Sequence, residues 1–151
     1  MKIKLEHDET LSEDEIIIKS NNNPLSEKLA AYAEELLSRA QTITAYKDTR
    51  EFFITADKIL FFETQDEDVY AHTTDDLYRV TARLYELEET LPSNFLRVSK
   101  SAIVNVSQIF SVGRGISTSS LIEFSGTNKQ IYASRKYTKQ LKQRLNILKG
   151  E

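Results

Sequence analysis

Cationic side chains have the clearest capacity for chemistry in this sequence, and they are concentrated in its C-terminal part. Residues 96–151 carry 10 Lys and Arg side chains against two carboxylates, Glu123 and Glu151, a balance of +8. Residues 1–95 carry 10 basic and 21 acidic side chains, a balance of −11, which leaves a net charge of −3 for the chain. Such an asymmetry indicates a polyanionic partner for the basic part, and a basic face without a partner is the alternative.

Patterns typical of catalysis or metal binding are missing from the sequence. The chain has no Cys, which excludes disulfides, thiol nucleophiles and Cys-bound zinc, and His7 and His72 are too few for a His-rich metal site. Gly113 and Gly115 lack the Lys-Ser/Thr signature of a phosphate-binding loop. The acidic run at 66–68 lacks the alternating ligands of a calcium loop, so we expect a solvated loop. We therefore expect a protein that is not an enzyme and uses no cofactor, with His72 as a half-buried strand residue.

The chain shows no sign of a membrane or export segment. Residues 1–6 include no apolar signal core, and no apolar run approaches the roughly 20 residues that cross a bilayer. We therefore expect a cytoplasmic location. About 45 residues precede the strand-rich part, which is too few for a doubly wound receiver domain built around a phosphorylated aspartate.

Residues 1–45 predict a small β-α extension. Alternation at 2–6 and the β-branched run at 16–18 each predict a short strand. Helical spacing predicts a helix over residues 24–41, whose apolar face consists of Leu29, Tyr32, Ala33, Leu36 and Leu37. We expect this helix to pack closely on the β core, and pairing with a second copy of the chain stays open.

Residues 46–151 predict the main domain, which is rich in strands. The pattern predicts a hairpin about the turn at 47–50 and a helix over 82–91. A last helix is predicted over 135–148, with the apolar positions Tyr137, Leu141, Leu145 and Leu148. Further strands are predicted at 59–63, 69–73, 77–80, 95–98, 102–106, 109–112, 121–124 and 130–133. The expected fold class is mainly β with a few helices, an α+β arrangement.

Three runs in the main domain occur in a distinctive order. They are Lys-Ile-Leu-Phe-Phe-Glu at 58–63, Asn-Phe-Leu-Arg-Val-Ser-Lys-Ser-Ala-Ile-Val-Asn at 94–105, and Ala-Ser-Arg-Lys-Tyr at 133–137. Together they resemble the LytTR family of bacterial response-regulator output domains, over residues 43–147. The resemblance implies layered β-sheets that bind DNA through loops in successive major grooves, without a helix-turn-helix.

The second run carries expected DNA contacts. The resemblance places Lys100 at a contact position with Ser99 and Ser101 beside it, and it leaves Arg97 either to contact DNA or to brace the loop. Two short hydroxyls and a long cation between apolar anchors suit contact with phosphate or base edges. Asn105 is expected to be structural, with its amide pinning the turn after the strand.

The third run opens the last helix, where backbone N–H groups and the helix dipole favour an anion. By resemblance Lys136 lies at the position that reads a base, although Lys lacks the planar fork of Arg. Arg135 and Lys139 would add phosphate contacts, and Tyr137 is expected in the core rather than on phosphate. The remaining family loop, at 64–68, is acidic here, and it is either solvated or able to accept from a cytosine amino group.

These features predict a sequence-specific, DNA-binding transcription regulator that recognises short direct repeats in duplex DNA. The resemblance to stand-alone regulators of the family implies a small membrane protein as a further partner, and a homodimer stays open. Two other functions fit the basic region. One is an RNA-binding module whose aromatic residues stack on bases, and the other is a protein-interaction domain that has lost DNA binding.

Overall fold

The structure is a computed structural model that describes residues 2–12, 14–116 and 118–149, apart from the side chains of Ser38 and residues 147–149. The described residues form three α-helices and ten strands, which confirms the expected α+β class. In chain order they are α1 (Pro24–Ala40), β1 (Thr42–Lys47), β2 (Arg50–Thr55), β3 (Phe61–Gln65), β4 (Asp68–His72), β5 (Leu77–Val80), α2 (Leu84–Thr90), β6 (Phe95–Ser99), β7 (Ala102–Asn105), β8 (Ile109–Arg114), β9 (Ser120–Phe124), β10 (Gln130–Ala133) and α3 (Arg135–Lys149).

The strands form two antiparallel sheets within the described residues. The larger sheet has seven strands in the order β2-β1-β5-β4-β3-β7-β6, and the smaller has three in the order β10-β9-β8. The hairpin predicted at 47–50 is confirmed, because β1 pairs with β2 along its whole length. Asp48 and Asp66 have φ values of 56° and 57° in the tight turns after β1 and β3. Asp tolerates this left-handed region better than most residues, which favours a turn at these two positions.

The seven-stranded sheet buries apolar side chains on both of its faces. Phe62 and Ile103 pack in the cluster that includes α2, whereas their neighbours Phe61 and Val104 pack in the cluster that includes the small sheet and α3. Successive residues of a strand point to opposite faces, so a strand covered on both sides needs an uninterrupted apolar run such as 59–62. The layered arrangement expected from the resemblance is therefore confirmed.

Helix α3 covers the small sheet with the apolar face that its spacing predicts. Leu141 and Leu145 are buried, and Tyr137 at the start of the helix is half-buried. The side chain of Leu148, the remaining predicted apolar position, lies outside the described residues. A burial this complete fixes the rotation of α3, and so it fixes which of the helix's cations reach solvent.

The two strands predicted in the extension are wrong. Residues 2–12 and 14–20 contain no strand, and Ile3 and Ile16 are 93% and 72% exposed. The reason is physical: alternation alone does not stabilise a strand without a partner, and the carboxylates between the two apolar runs disfavour their pairing. The predicted boundary at residue 45 stays a prediction, although it falls within β1.

Helix α1 is confirmed, but the close packing expected for it is only partial. It begins where predicted, because the Asn23 side chain accepts from Leu25 N at 3.0 Å and Pro24 fits the first turn. One side contacts α3, β2 and the turn at 56–58, and Glu34 accepts from Ser93 N at 3.0 Å. The rest of its apolar face stays open, with Leu25, Tyr32, Leu36 and Leu37 between 46% and 57% exposed.

Candidate nucleic-acid interface

Two turns leave the same end of the seven-stranded sheet from neighbouring strands. Glu63 of β3 pairs with Ala102 of β7, so the β3–β4 turn lies beside the β6–β7 turn. Thr64 N donates to Ser101 O at 2.8 Å, which ties the two turns together at their base. The antiparallel order therefore brings together loops that are more than 30 positions apart in the sequence.

The start of α3 joins the same surface through one backbone hydrogen bond. Ser134 N donates to Val98 O at 2.8 Å, and both Val98 and the preceding Ala133 are fully buried. The junction between β10 and α3 is thereby fixed against the end of β6. We call the surface formed by residues 97–101 together with Ser134 and Lys136 the basic edge.

Arg97 holds the backbone of the β6–β7 turn. Its Nε donates to Ser99 O and its Nη2 to Lys100 O, both at 2.6 Å, and its Nη1 forms an ion pair with Glu88 of α2. Its side chain is 21% exposed. The planar guanidinium suits this task because its donors have fixed directions, which a Lys ammonium cannot match. Of the two expected roles, the geometry gives Arg97 the bracing one.

The two serines of the turn close it further and leave the lysine free. Ser101 N donates to Ser99 Oγ at 3.1 Å, and the two hydroxyl oxygens lie 3.3 Å apart across a bulge in β6. Lys100, at the tip, is exposed and makes no ion pair in the described part of the chain. The turn is therefore a rigid base that presents one cation and one exposed hydroxyl, that of Ser101.

The cations that open α3 point to two different surfaces. Lys136 is exposed with its Nζ 5.4 Å from the centroid of the Tyr137 ring, a cation–π contact that holds it at the basic edge. Arg135 and Lys139 instead line a groove between α3 and the β8–β9 hairpin. At 3.6 residues per turn, Lys136 lies about 100° round the helix from Arg135. The three contacts expected on this helix are thus divided between an edge and a groove.

The acidic turn at 65–68 borders the basic edge. Asp66 and Glu67 are both exposed, and Glu67 lines a recess with Arg83, Arg97 and Lys100. Its carboxylate therefore lies among cations, where it lowers the local positive potential. The turn is exposed, as both of its expected roles require, so a solvated turn and a contact with a base both stay predictions.

Asn105 and His72 are structural, as the sequence predicts. Asn105 is buried, donates to Ile59 O at 3.0 Å, and accepts from Asn94 and from Ser107 N at 3.0 and 3.1 Å. The His72 ring stacks on Phe61 at 4.3 Å, and burial, aided by the charge of Lys129, lowers its pKa from 6.5 to about 4. His72 is therefore neutral at pH 7.

Several residues of the site carry no signal in the sequence. Glu88, the partner of Arg97, sits on a helix whose rotation the sequence does not give. Arg114 and Lys142 belong to no motif, and only the fold places them in one groove with Arg135. Across residues 2–12, 14–116 and 118–149 there is no cluster of side chains able to hold a metal ion. No helix in the same ranges is long and apolar enough to cross a membrane.

Comparison with known proteins shows which family the chain belongs to. The family model described as "LytTr DNA-binding domain" matches residues 49–146. Transcriptional regulators described as uncharacterized and HTH-type, from Staphylococcus aureus strains NCTC 8325 / PS 47 and MRSA252, are each 32% identical over 114 residues, 74% of this chain and 75% of theirs. The solved LytTr DNA-binding domain of a response regulator from Bacillus cereus superposes with a TM-score of 0.63 at 21% identity, covering 69% of this chain and 95% of that one.

Proposed function

The chain belongs to the LytTR family of DNA-binding domains, and from that premise we propose that it is a cytoplasmic, non-enzymatic transcription regulator that binds duplex DNA through its basic edge. The observation that carries the proposal is the hydrogen bond from Ser134 N to Val98 O. It joins the turn at 97–101 and the start of α3, so that their cations lie on one surface. A single surface allows both segments to contact adjacent parts of one duplex.

Each residue of the basic edge has a distinct task in this proposal. Lys100 and Lys136 are the exposed cations that reach base edges in the major groove or the adjoining phosphates. Ser101 adds a hydroxyl beside Lys100. Arg97 and Ser99 are positioning residues, since their polar atoms are engaged within the turn. Discrimination between bases rests on the placement of two ammonium groups, because neither cation has the bidentate fork that pairs with guanine.

A second copy of the chain is the partner proposed for α1. Leu25, Leu29, Tyr32 and Leu36 recur at intervals of four, three and four residues, which makes a stripe along one side of the helix. Three of the four are 46% to 57% exposed. A dimer joined through this stripe would carry two basic edges, as recognition of repeated sites requires. The small membrane protein implied by the resemblance stays a proposal from the family alone.

The test is selection of bound duplexes from a random pool at moderate salt, followed by affinity measurements on the selected site. Enrichment of a short repeated sequence is expected, and Lys100→Ala/Lys136→Ala should lower affinity for that site by more than about 100-fold if the two losses add. Lys2→Ala/Lys19→Ala is the matched control, because it removes the same charge from exposed positions outside the sheets and outside α1.

The other outcomes separate the remaining functions. No enrichment from the pool would contradict the proposal, as would equal affinity of the Lys100→Ala/Lys136→Ala variant and its control. Preferential binding of single-stranded RNA in competition with the duplex would indicate an RNA-binding module instead.

A further inference from the structure

A second cationic surface lies beyond the basic edge, in the groove between α3 and the β8–β9 hairpin. Four cations line it: Arg114 at the end of β8, and Arg135, Lys139 and Lys142 along α3. On the helix these positions follow the spacing i, i+4 and i+7, so all three side chains project from one face. We call this surface the basic groove.

The charge of the basic groove is not balanced by carboxylates among the residues that the structure describes. No carboxylate lines it, and none of its four cations forms an ion pair in the parts of the chain that the structure describes. Glu123 is on β9 at an alternate site from the buried Ile122 and Phe124, so it faces away from the groove. Like charges at i and i+4 on a helix repel each other and destabilise it. The free protein therefore holds a repulsive arrangement that an anion would relieve.

The walls of the groove also suit phosphate oxygens. Thr118 and Ser119 line one side, and Ser120 and Thr138, whose hydroxyl oxygens lie 3.2 Å apart, join its two walls. Hydroxyls together with Lys and Arg are the side chains that commonly contact the backbone of DNA. Among the described residues that line the groove, Val112 has the one apolar side chain and none is aromatic, so the groove does not offer a base-stacking surface.

The groove continues directly from the basic edge. Arg135, which lines the groove, is preceded by Ser134 and followed by Lys136, both in the edge. From Arg135 to Lys142 the helix advances about 10 Å, at 1.5 Å per residue. That length equals the axial rise of roughly three nucleotides, at 3.4 Å per nucleotide of one strand. A duplex seated on the edge can therefore extend one of its strands along the groove.

We propose that the basic groove binds the sugar–phosphate backbone of the same duplex, in the segment flanking the sequence read by the basic edge. This inference rests on the proposed function. The groove contributes affinity without sequence preference, because phosphates are alike at every base pair. It also predicts that the protein protects a longer stretch of DNA than its recognition sequence occupies.

The test compares two variants on the selected duplex and on a scrambled duplex of equal length. Arg114→Gln/Lys139→Gln/Lys142→Gln should lower affinity for both duplexes by the same factor, about tenfold or more. It should also reduce the slope of log affinity against log salt by about 0.9 for each phosphate that the variant no longer neutralises. Trimming the flanks of the selected duplex should weaken the wild type and leave this variant nearly unaffected. All three positions are exposed, so the variant should fold.

Two further variants keep the result interpretable. Lys2→Gln/Lys19→Gln/Lys58→Gln removes the same charge from exposed positions outside the basic edge, the basic groove and α1, and should bind like the wild type. Arg114→Lys/Lys139→Arg/Lys142→Arg keeps the charge and should retain affinity, since phosphate contact needs a cation rather than a particular fork.

The proposal is overturned if the Gln variant of the groove binds as its charge control does, or if it loses affinity for the selected duplex alone. In either case a loss of binding in Lys100→Ala/Lys136→Ala would leave the proposed function standing. If the wild type binds no duplex, both proposals fail together.

Discussion

The turn at 97–101 and the start of α3 at 134–139 both place an arginine near a lysine, yet the two segments use their cations differently. In the turn, Arg97 donates to two backbone carbonyls and pairs with Glu88, which leaves Lys100 as the exposed cation. On the helix, Lys136 stands at the basic edge and Arg135 in the basic groove. A charged residue in the sequence therefore does not by itself identify a DNA contact. The surrounding backbone decides whether the cation stabilises a turn or is left exposed to a ligand.

The largest effect on DNA affinity is expected from the exposed lysine of each segment, because both lysines are proposed to contact the DNA. Lys100→Ala and Lys136→Ala should each weaken binding to the selected site by about 10- to 100-fold, while both proteins unfold at the wild-type midpoint. Affinity and thermal unfolding would be measured side by side. If only one of the two variants lost affinity, one segment alone would contact the DNA, and the two segments would not share one DNA surface.

A smaller effect on DNA affinity, together with a loss of stability, is expected from changing Arg97, which holds the backbone of the turn. Arg97→Lys keeps the charge but loses the paired donors, so the free energy of unfolding should fall by about 1–2 kcal/mol and affinity by roughly fivefold. The salt dependence of binding should not change, because Arg97 contacts no phosphate. A slope reduced by about one, with unfolding unchanged, would show that Arg97 contacts the DNA directly.

Neutralising the acidic turn at 65–68 should change DNA affinity in the opposite direction, toward tighter binding. Asp66→Asn/Glu67→Gln should raise affinity two- to fivefold at low salt, because it removes two exposed carboxylates beside the basic edge, and the gain should vanish at high salt. Asn preserves the left-handed turn at position 66. Glu9→Gln/Asp14→Asn serves as the control with equal charge change. A loss of affinity would mean that one of the carboxylates accepts from a base.

The smallest effect on DNA affinity is expected at His72, on the end of β4 that lies away from both segments. Its pKa is about 4 in the folded protein and 6.5 as an unperturbed group, so the fold favours the neutral ring. Its contribution to stability is complete above pH 6.5 and is lost as the pH falls toward 4, by up to about 3 kcal/mol.

His72→Phe tests this assignment, since it preserves the stack on Phe61 without a titrating group. Stability of the variant should fall less than that of the wild type between pH 6.5 and 4.5, with equal DNA affinity at pH 7.5. Identical pH profiles for the two proteins would refute the assignment.

The elements were predictable wherever local pattern and tertiary packing agree. The strands of the main domain and α3 follow from periodicity, because they bury the side chains that their spacing predicts, and the start of α1 and the hairpin at 47–50 follow from their capping and turn residues. The strands at 2–6 and 16–18 failed for the converse reason. The first had the alternation and the second the β-branched residues, but neither has a neighbouring strand, and pairing is a long-range property.

The sequence predicted which segments form the candidate site, but it did not predict the separate task of each residue in them. The three runs gave Lys100 and Lys136 directly. The bracing of Arg97 depends on Glu88, nine positions earlier on another element, and the basic groove depends on Arg114, which only the fold brings to α3. Such contacts require the rotation of helices and the pairing of strands, which no local pattern contains.

The most direct test of the central claim is a titration of the ¹⁵N-labelled chain with the selected duplex, followed by backbone amide shifts. One continuous DNA surface predicts the largest changes at residues 98–101 and 134–136, a second group along the basic groove, and none along α1. Changes confined to α1, or to only one of the two segments of the basic edge, would contradict it.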